Sequence, residues 1–268
     1  MTATVHTLAL GGTEPGADLT VDLTVDDQGS GRPFLLLHGG GGPQTVAAFA
    51  GLLAEQHGAR VLTPVHPGFG GTERPEQLTD VGTLARLYAD LLDTLDLRDV
   101  IVVGNSIGGW IAAELALLGS ERVSGYVLVD AAGIEVPGHP VVDIFPLTPQ
   151  ELSALSFHNP ARFGIDPAAL PEAVRAAAAG NRASLAVYQG PYKMADPGLR
   201  ERLAKVTSPV LVVWGESDRV VDRDYGRAYA AAIPGARFVL IAASGHLPQI
   251  EMPSELLCIV AEFAEENA

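Results

Sequence analysis

Residues 99–109 read DVIVVGNSIGG. Val100 to Val103 form a short, unbroken apolar run, which suits a strand buried on both faces of a parallel sheet. The run passes straight into Gly104-Asn105-Ser106-Ile107-Gly108 and then into an apolar helical pattern over 107–118. G-x-S-x-G between a strand and a helix predicts a turn so tight that the positions two before and two after the serine have no room for a side chain. Such a turn exposes the Ser106 hydroxyl at the C-terminal end of its strand. It also aims the helix N-terminus, with its unpaired N–H groups and positive dipole end, at the same spot.

Similar apolar runs lie on either side, at 34–37, 60–63, 126–129, 210–214 and 238–241, and residues 18–25 (DLTVDLTV) alternate as a half-buried strand does. Helical patterns over 45–57, 82–96, 222–232 and 254–266 separate them. Strands alternating with helices predict βαβ units and an α/β fold with a mainly parallel central sheet flanked by helices. Residues 133–205 break the rhythm. They hold helical pieces near 148–156, 171–187 and 197–205 and no strand-like run, so they read as a helical insertion at the rim of the sheet. The division that follows is a core of residues 1–132 and 206–268 with a helical cap of residues 133–205.

A serine hydroxyl is a poor nucleophile until a base takes its proton. Of the seven histidines, His246 (in SGHLPQIE) follows the strand at 238–241 and therefore stands at the same sheet edge as Ser106. A base of this kind needs an acid to fix its tautomer. Asp218, in WGESDRVV after the strand at 210–214, meets that need, and Asp130, at the end of the strand at 126–129, is a rival for the role.

With HGGGGP (38–43), HPGFGGT (66–72), GNSIGG (104–109), WGESDRVV (214–221) and GHLPQIE (245–251) in this order, the chain resembles an α/β-hydrolase over almost its whole length. The resemblance implies a triad of Ser106, Asp218 and His246. It also implies an oxyanion hole from the backbone N–H groups of Ile107 and of Gly40, with Gly41 the neighbouring possibility, and a helical cap in the insertion. His38 is more often structural in such proteins, and many of them carry Asp where His66 stands. Serine at the turn disfavours the epoxide hydrolases and haloalkane dehalogenases, which use aspartate there. Hydrolysis of a carboxylic ester through an acyl-enzyme is the reaction the resemblance favours. GNSxGG and GHxxQxE are also similar to the carbon–carbon hydrolases of meta-cleavage products. That subgroup commonly has Trp where Leu247 stands and binds a substrate carboxylate with a cap arginine. Arg175 and Arg182 are the arginines nearby, but the alanine run occupies the place where the resemblance expects that arginine. A non-catalytic ligand-binding member of the fold is the third reading. Gly41, Phe145, Phe157, Tyr188 and Leu247 are the candidate substrate contacts, with Phe163 and Tyr192 also in the cap.

Composition narrows the partners. Lys plus Arg number 17 against 32 Asp plus Glu, a net charge of −15. A nucleic-acid binder needs a basic footprint, and an anionic membrane repels such a surface. A small-molecule substrate is the expectation, with no metal and no cofactor, since the phosphate-binding glycine patterns are missing. The lone Cys258 excludes an internal disulfide and any cysteine zinc cluster, and its place in an apolar helix pattern predicts a buried thiol. No basic leader or apolar run of about 18 residues is visible, which predicts a cytoplasmic protein.

Overall fold

The computed structural model describes residues 2–10, 19–164 and 166–268. The chain opens with β1 (Thr2–Leu10), β2 (Leu19–Gly29) and β3 (Pro33–Leu37), then α1 (Gln44–Gln56), β4 (Arg60–Pro64) and α2 (Val81–Thr94). The central elements are β5 (Val100–Asn105), α3 (Ile107–Leu118) and β6 (Val123–Val129). The insertion follows, with β7 (Gly133–Ile134), α4 (Pro149–Ser156), α5 (Pro160–Phe163), α6 (Glu172–Tyr188), β8 (Ala195–Asp196) and α7 (Leu199–Arg202). β9 (Val210–Gly215), α8 (Arg223–Ala232), β10 (Arg237–Ile241), α9 (Pro248–Glu251) and α10 (Pro253–Glu266) complete it. Position 18 of the expected first strand lies outside the described residues. β1 was not anticipated from the sequence; it pairs antiparallel with β2 along its length.

Eight strands form one sheet in the order β1-β2-β4-β3-β5-β6-β9-β10. β2 pairs antiparallel with both of its neighbours, and every later pair is parallel. The apolar runs are continuous because both faces are covered. Leu35, Leu37, Val100, Val102, Tyr126, Leu128, Val212 and Trp214 pack in one cluster with residues of α2, α3 and α8. Their alternates Phe34, Leu36, Ile101, Val103, Val127, Val129, Leu211 and Val213 pack in the other with residues of α1 and α10. This is the period-two side-chain geometry of a strand read twice, once per face.

From β3 the chain winds one way to β4, and from β5 it winds the other way to β6. β3 and β5 are neighbours, so the reversal leaves a crevice beyond their C-terminal ends, where ligands bind in open α/β sheets. The 38–43 loop and Ser106 both leave the sheet there.

Two expectations are corrected. The insertion does contain strand: β7 and β8 pair in parallel at its two ends. They are two residues each, too short to leave a pattern in the sequence. Cys258 is exposed, not buried. α10 turns Leu256, Leu257, Val260, Phe263 and Ala264 inward, and the helical period carries position 258 to the outer face.

Candidate active site

Ser106 sits between β5 and α3 with φ 58° and ψ −118°, a conformation non-glycine residues rarely adopt. Such a backbone costs on the order of 1–3 kcal/mol and persists only where the surroundings hold it. Here the Ser106 N–H donates to Val129 O (3.0 Å), while its carbonyl accepts from Trp110 N (3.1 Å) and Ala132 N (3.2 Å). The flanking glycines follow from close approach. A Cβ on Gly104 would lie 2.8 Å from Gly109 N, and one on Gly108 would lie 2.7 Å from His38 O, with other backbone atoms nearer still. Strand, turn and helix touch through bare backbone. α3 begins without a side-chain cap, so its leading N–H groups, Ile107 among them, have no side-chain acceptor.

The histidine and both carboxylates arrive from the neighbouring strands. His246 Nδ1 lies 2.7 Å from Asp218 Oδ2, and both side chains are buried. Asp218 Oδ1 accepts from Val220 N (2.8 Å) and Val221 N (3.1 Å). With Nδ1–H donated to the carboxylate, the neutral imidazole keeps Nε2 as an acceptor. Ser106 and His246 line the same cavity. Asp130 lies directly behind. Its N–H donates to Val213 O (3.0 Å) and its Oδ1 accepts from Gly215 N (2.9 Å). One donor atom each from Asp130, Asp218 and His246 fall within 4.8 Å of one another. They are the donor types a metal ion uses, yet Asp218 and His246 Nδ1 already satisfy each other.

The glycine loop is clamped from two sides. Below it, His38 Nε2 accepts from His66 N (3.1 Å) and His38 Nδ1 donates to Gly39 O (2.8 Å). His66 Nε2 donates to His38 O (2.9 Å), leaving its Nδ1 to accept from Tyr88 OH. The partners thus dictate one neutral tautomer for each ring. Burial pushes His38 down to about 4, and burial with the adjacent His38 holds His66 well below the usual imidazole value. From above, α6 presents Asn181, Ser184 and Tyr188. Asn181 Nδ2 donates to Gly41 O (2.8 Å) while its Oδ1 accepts from Gly70 N (2.8 Å). Ser184 Oγ donates to Gly68 O (2.7 Å) and Tyr188 OH to Pro67 O (3.0 Å).

A cavity of about 530 Å³ opens above Ser106. Its walls are chiefly apolar and come largely from the insertion, with Val141, Ile144, Leu152, Leu170 and Leu185 among them. Of the anticipated contacts, Gly40, Gly41, Phe157 and Leu247 line it. Phe145 and Tyr188 do not, which corrects the sequence expectation. Phe145 lies beside the Arg182 guanidinium, 5.6 Å from it, and Tyr188 is buried against Phe69 with its hydroxyl committed to Pro67. Phe163 and Tyr192 also lie away from the cavity, Tyr192 being exposed. Ile107 is fully buried behind the serine, and only its backbone can serve the site.

Residues 34–258 match the model of the alpha/beta hydrolase family. The chain belongs to that family. It is 29% identical over 266 residues to a Mycobacterium tuberculosis (strain ATCC 25618 / H37Rv) protein, BpoC, named as a non-heme bromoperoxidase; the match covers 91% of this chain and 97% of that one. It is 27% identical to the 2-hydroxymuconate semialdehyde hydrolase of Pseudomonas sp. (strain CF600), across 90% of this chain and 89% of the relative. Among solved structures, a bacterial membrane phospholipase A superposes with a TM-score of 0.77 at 26% identity, covering 99% of this chain and 87% of that one. Among the described residues of this family member, no helix is long and apolar enough to cross a membrane.

From the sequence, GHLPQIE supplied the histidine and a family likeness, but no role for Gln249 or Glu251. Gln249 Nε2 donates to Asn105 Oδ1 (3.1 Å), and Asn105 Nδ2 donates to His246 O (3.0 Å) and Val129 O (3.2 Å). This chain ties the histidine loop to the residue before the serine. The Glu251 carboxylate accepts three backbone N–H groups, those of Gly245 (2.6 Å), His158 (3.0 Å) and Asn159 (3.0 Å). It staples the insertion to the histidine loop. A glutamine and a glutamate three and five positions after a histidine were the available signal, and only the folded chain reveals their partners. Asn181 left no such signal within its alanine-rich helix.

Proposed function

We propose that this chain is a serine hydrolase that cleaves a carboxylic ester of a small, largely apolar substrate. One observation carries the reading: a serine on a strained strand-to-helix turn shares a cavity with a histidine whose other ring nitrogen is paired to a buried carboxylate. In this reading His246 Nε2 takes the Ser106 proton as Oγ attacks the ester carbonyl, and Asp218 stabilises the imidazolium that results. The negative charge that develops on the carbonyl oxygen meets the N–H groups of Ile107 and Gly40, fixed by α3 and by the clamped glycine loop. Collapse expels the alcohol with the proton from His246, and water then releases the acid by the same steps in reverse order. Residues 133–205 act as the cap that shapes the acyl pocket. The phospholipase likeness supports ester chemistry. Arg182 is occupied by the carbonyls of Ile144, Phe145 and Leu147 and so is not free to bind a substrate carboxylate, which leaves Arg175, also on the cavity wall, as the arginine a carboxylate-bearing substrate would meet.

The 2-hydroxymuconate semialdehyde hydrolase relative favours a second reading, hydrolysis of a carbon–carbon bond at the same serine. Turnover of p-nitrophenyl esters and of a dienol diketone, side by side, separates the two. A fluorophosphonate should label only the peptide that carries Ser106. Ser106→Ala should abolish turnover, and Asp218→Asn should lower kcat by about 10⁴. Labelling elsewhere, or wild-type turnover in the serine variant, overturns the proposal.

A further inference from the structure

Asp130 is fully buried, and the reaction just described does not use it. Its backbone, at φ 45°, is in the left-handed region, and its main chain and side chain are both tied to β9. Oδ1 accepts from Gly215 N, but buried Oδ2 faces no hydrogen-bond donor among the described residues. What lies beside this carboxyl group is a second carboxylate, Asp218, with Glu251 contributing further negative charge. Asp218 is well provided for as an anion, with two backbone N–H donors on one oxygen and the imidazole on the other. Asp130 has a single N–H donor. Two carboxylates this close in a dry interior do not both ionise, and the proton stays on the one with fewer donors.

On this basis we propose that Asp130 is a neutral carboxylic acid at neutral pH and donates its proton in a hydrogen bond from Oδ2 to the Asp218 carboxylate. The inference rests on the triad assignment above and adds a fourth, positioning member to it. It resolves the orphan oxygen, since a protonated Oδ2 is a donor with an acceptor beside it. Burial and the charge of Asp218 both push the Asp130 carboxyl well above its ordinary range, in agreement with the geometry. The consequence is chemical. An ionised Asp130 would place a second negative charge beside His246, favour the imidazolium and remove the base that Ser106 requires. A neutral Asp130 braces Asp218 without that charge.

The conservative variant is Asp130→Asn. An amide keeps an acceptor for Gly215 N and a donor for Asp218, and asparagine tolerates the left-handed backbone. Asp130→Leu removes both and leaves Gly215 N unpaired. The measurements are the infrared carbonyl stretch of a protonated carboxylic acid at pH 7, recorded on wild type and Asp130→Asn, and kcat for both variants beside Asp218→Asn. The proposal expects the protonated-acid band in wild type and its loss in Asp130→Asn. It expects kcat of Asp130→Asn within about threefold of wild type, and a loss of about tenfold or more in Asp130→Leu. A wild-type spectrum with no such band overturns it, whether or not either variant folds. A collapse of kcat in folded Asp130→Asn also overturns it, because the neutral donor would then not suffice. Failure of the triad reading looks different: Ser106→Ala or Asp218→Asn would keep wild-type turnover while the band remained.

Discussion

Gly108→Ala tests whether the serine turn is held by contact between α3 and the loop after β3. The new Cβ would lie 2.7 Å from His38 O, with Leu37 O nearer still, and ordinary contact begins at 3.4 Å. Clearing Leu37 O as well, the helix start must therefore retreat by about 1 Å from the end of β3 and the loop after it, where His38 O is itself fixed by the His66 ring. The overpacking should cost about 1–3 kcal/mol of stability. The same displacement moves the Ile107 N–H and the Ser106 hydroxyl away from the glycine loop, and misplacements approaching 1 Å lower rates by about 10²-fold. A loss of about 10- to 100-fold in kcat/KM for p-nitrophenyl acetate is thus expected. Gly51→Ala, in α1 with no atom within 4 Å of the added methyl, is the control and should leave the rate unchanged. It should raise stability by up to about 1 kcal/mol through helix propensity. A Gly108→Ala protein with wild-type stability and kcat/KM would refute the reasoning, because the carbonyl contact would then constrain nothing.

Acid should weaken the fold before the carboxylates titrate. Above pH 6.5 His38 is neutral folded and unfolded. As pH falls the unfolded chain takes up the proton first, so stability is lost from there down to the folded value of about 4, by roughly 2 kcal/mol at pH 5. His66 acts in the same direction, while Asp130, with its raised value, acts in the opposite one. Guanidinium unfolding of Asp130→Asn, which removes the opposing carboxyl, should show a loss of about 2 kcal/mol or more between pH 7 and pH 5, and a flat or rising stability in that variant would contradict the neutral histidine pair. Phe157→Ala should change the ratio of kcat/KM between short and long acyl esters, because its side chain lines the cavity. Tyr188→Phe should leave that ratio alone and lose about 1 kcal/mol with the bond to Pro67 O; a shifted preference there would return Tyr188 to the pocket. Glu251→Gln puts an amide donor against backbone N–H groups and should lower stability by about 2 kcal/mol, with kcat falling as the histidine loop loosens. An unchanged melting temperature would argue against the staple.

By itself, the sequence determined what depends on local spacing. A strand covered on both faces is apolar at every position, so β3, β5, β6 and β9 could be read as continuous runs. The bare contacts around Ser106 admit only glycine at 104 and 108, and that requirement is written in five consecutive letters. His246 and Asp218 were legible because each follows a strand, and in a parallel sheet every strand delivers its next loop to the same edge. Tertiary structure decided everything that depends on partners far apart in the chain. The choice between Phe157 and Tyr188 as cavity walls turned on which face of the insertion each occupies. Asn181 could not be singled out, because its two partners, Gly41 and Gly70, lie more than a hundred residues away. Asp130 and Asp218 each looked like a possible triad acid. Only the fold could show that both stand beside one histidine, with two backbone donors on Asp218 and one on Asp130. Donor count and burial decide which carboxyl carries charge, and both are properties of the assembled interior.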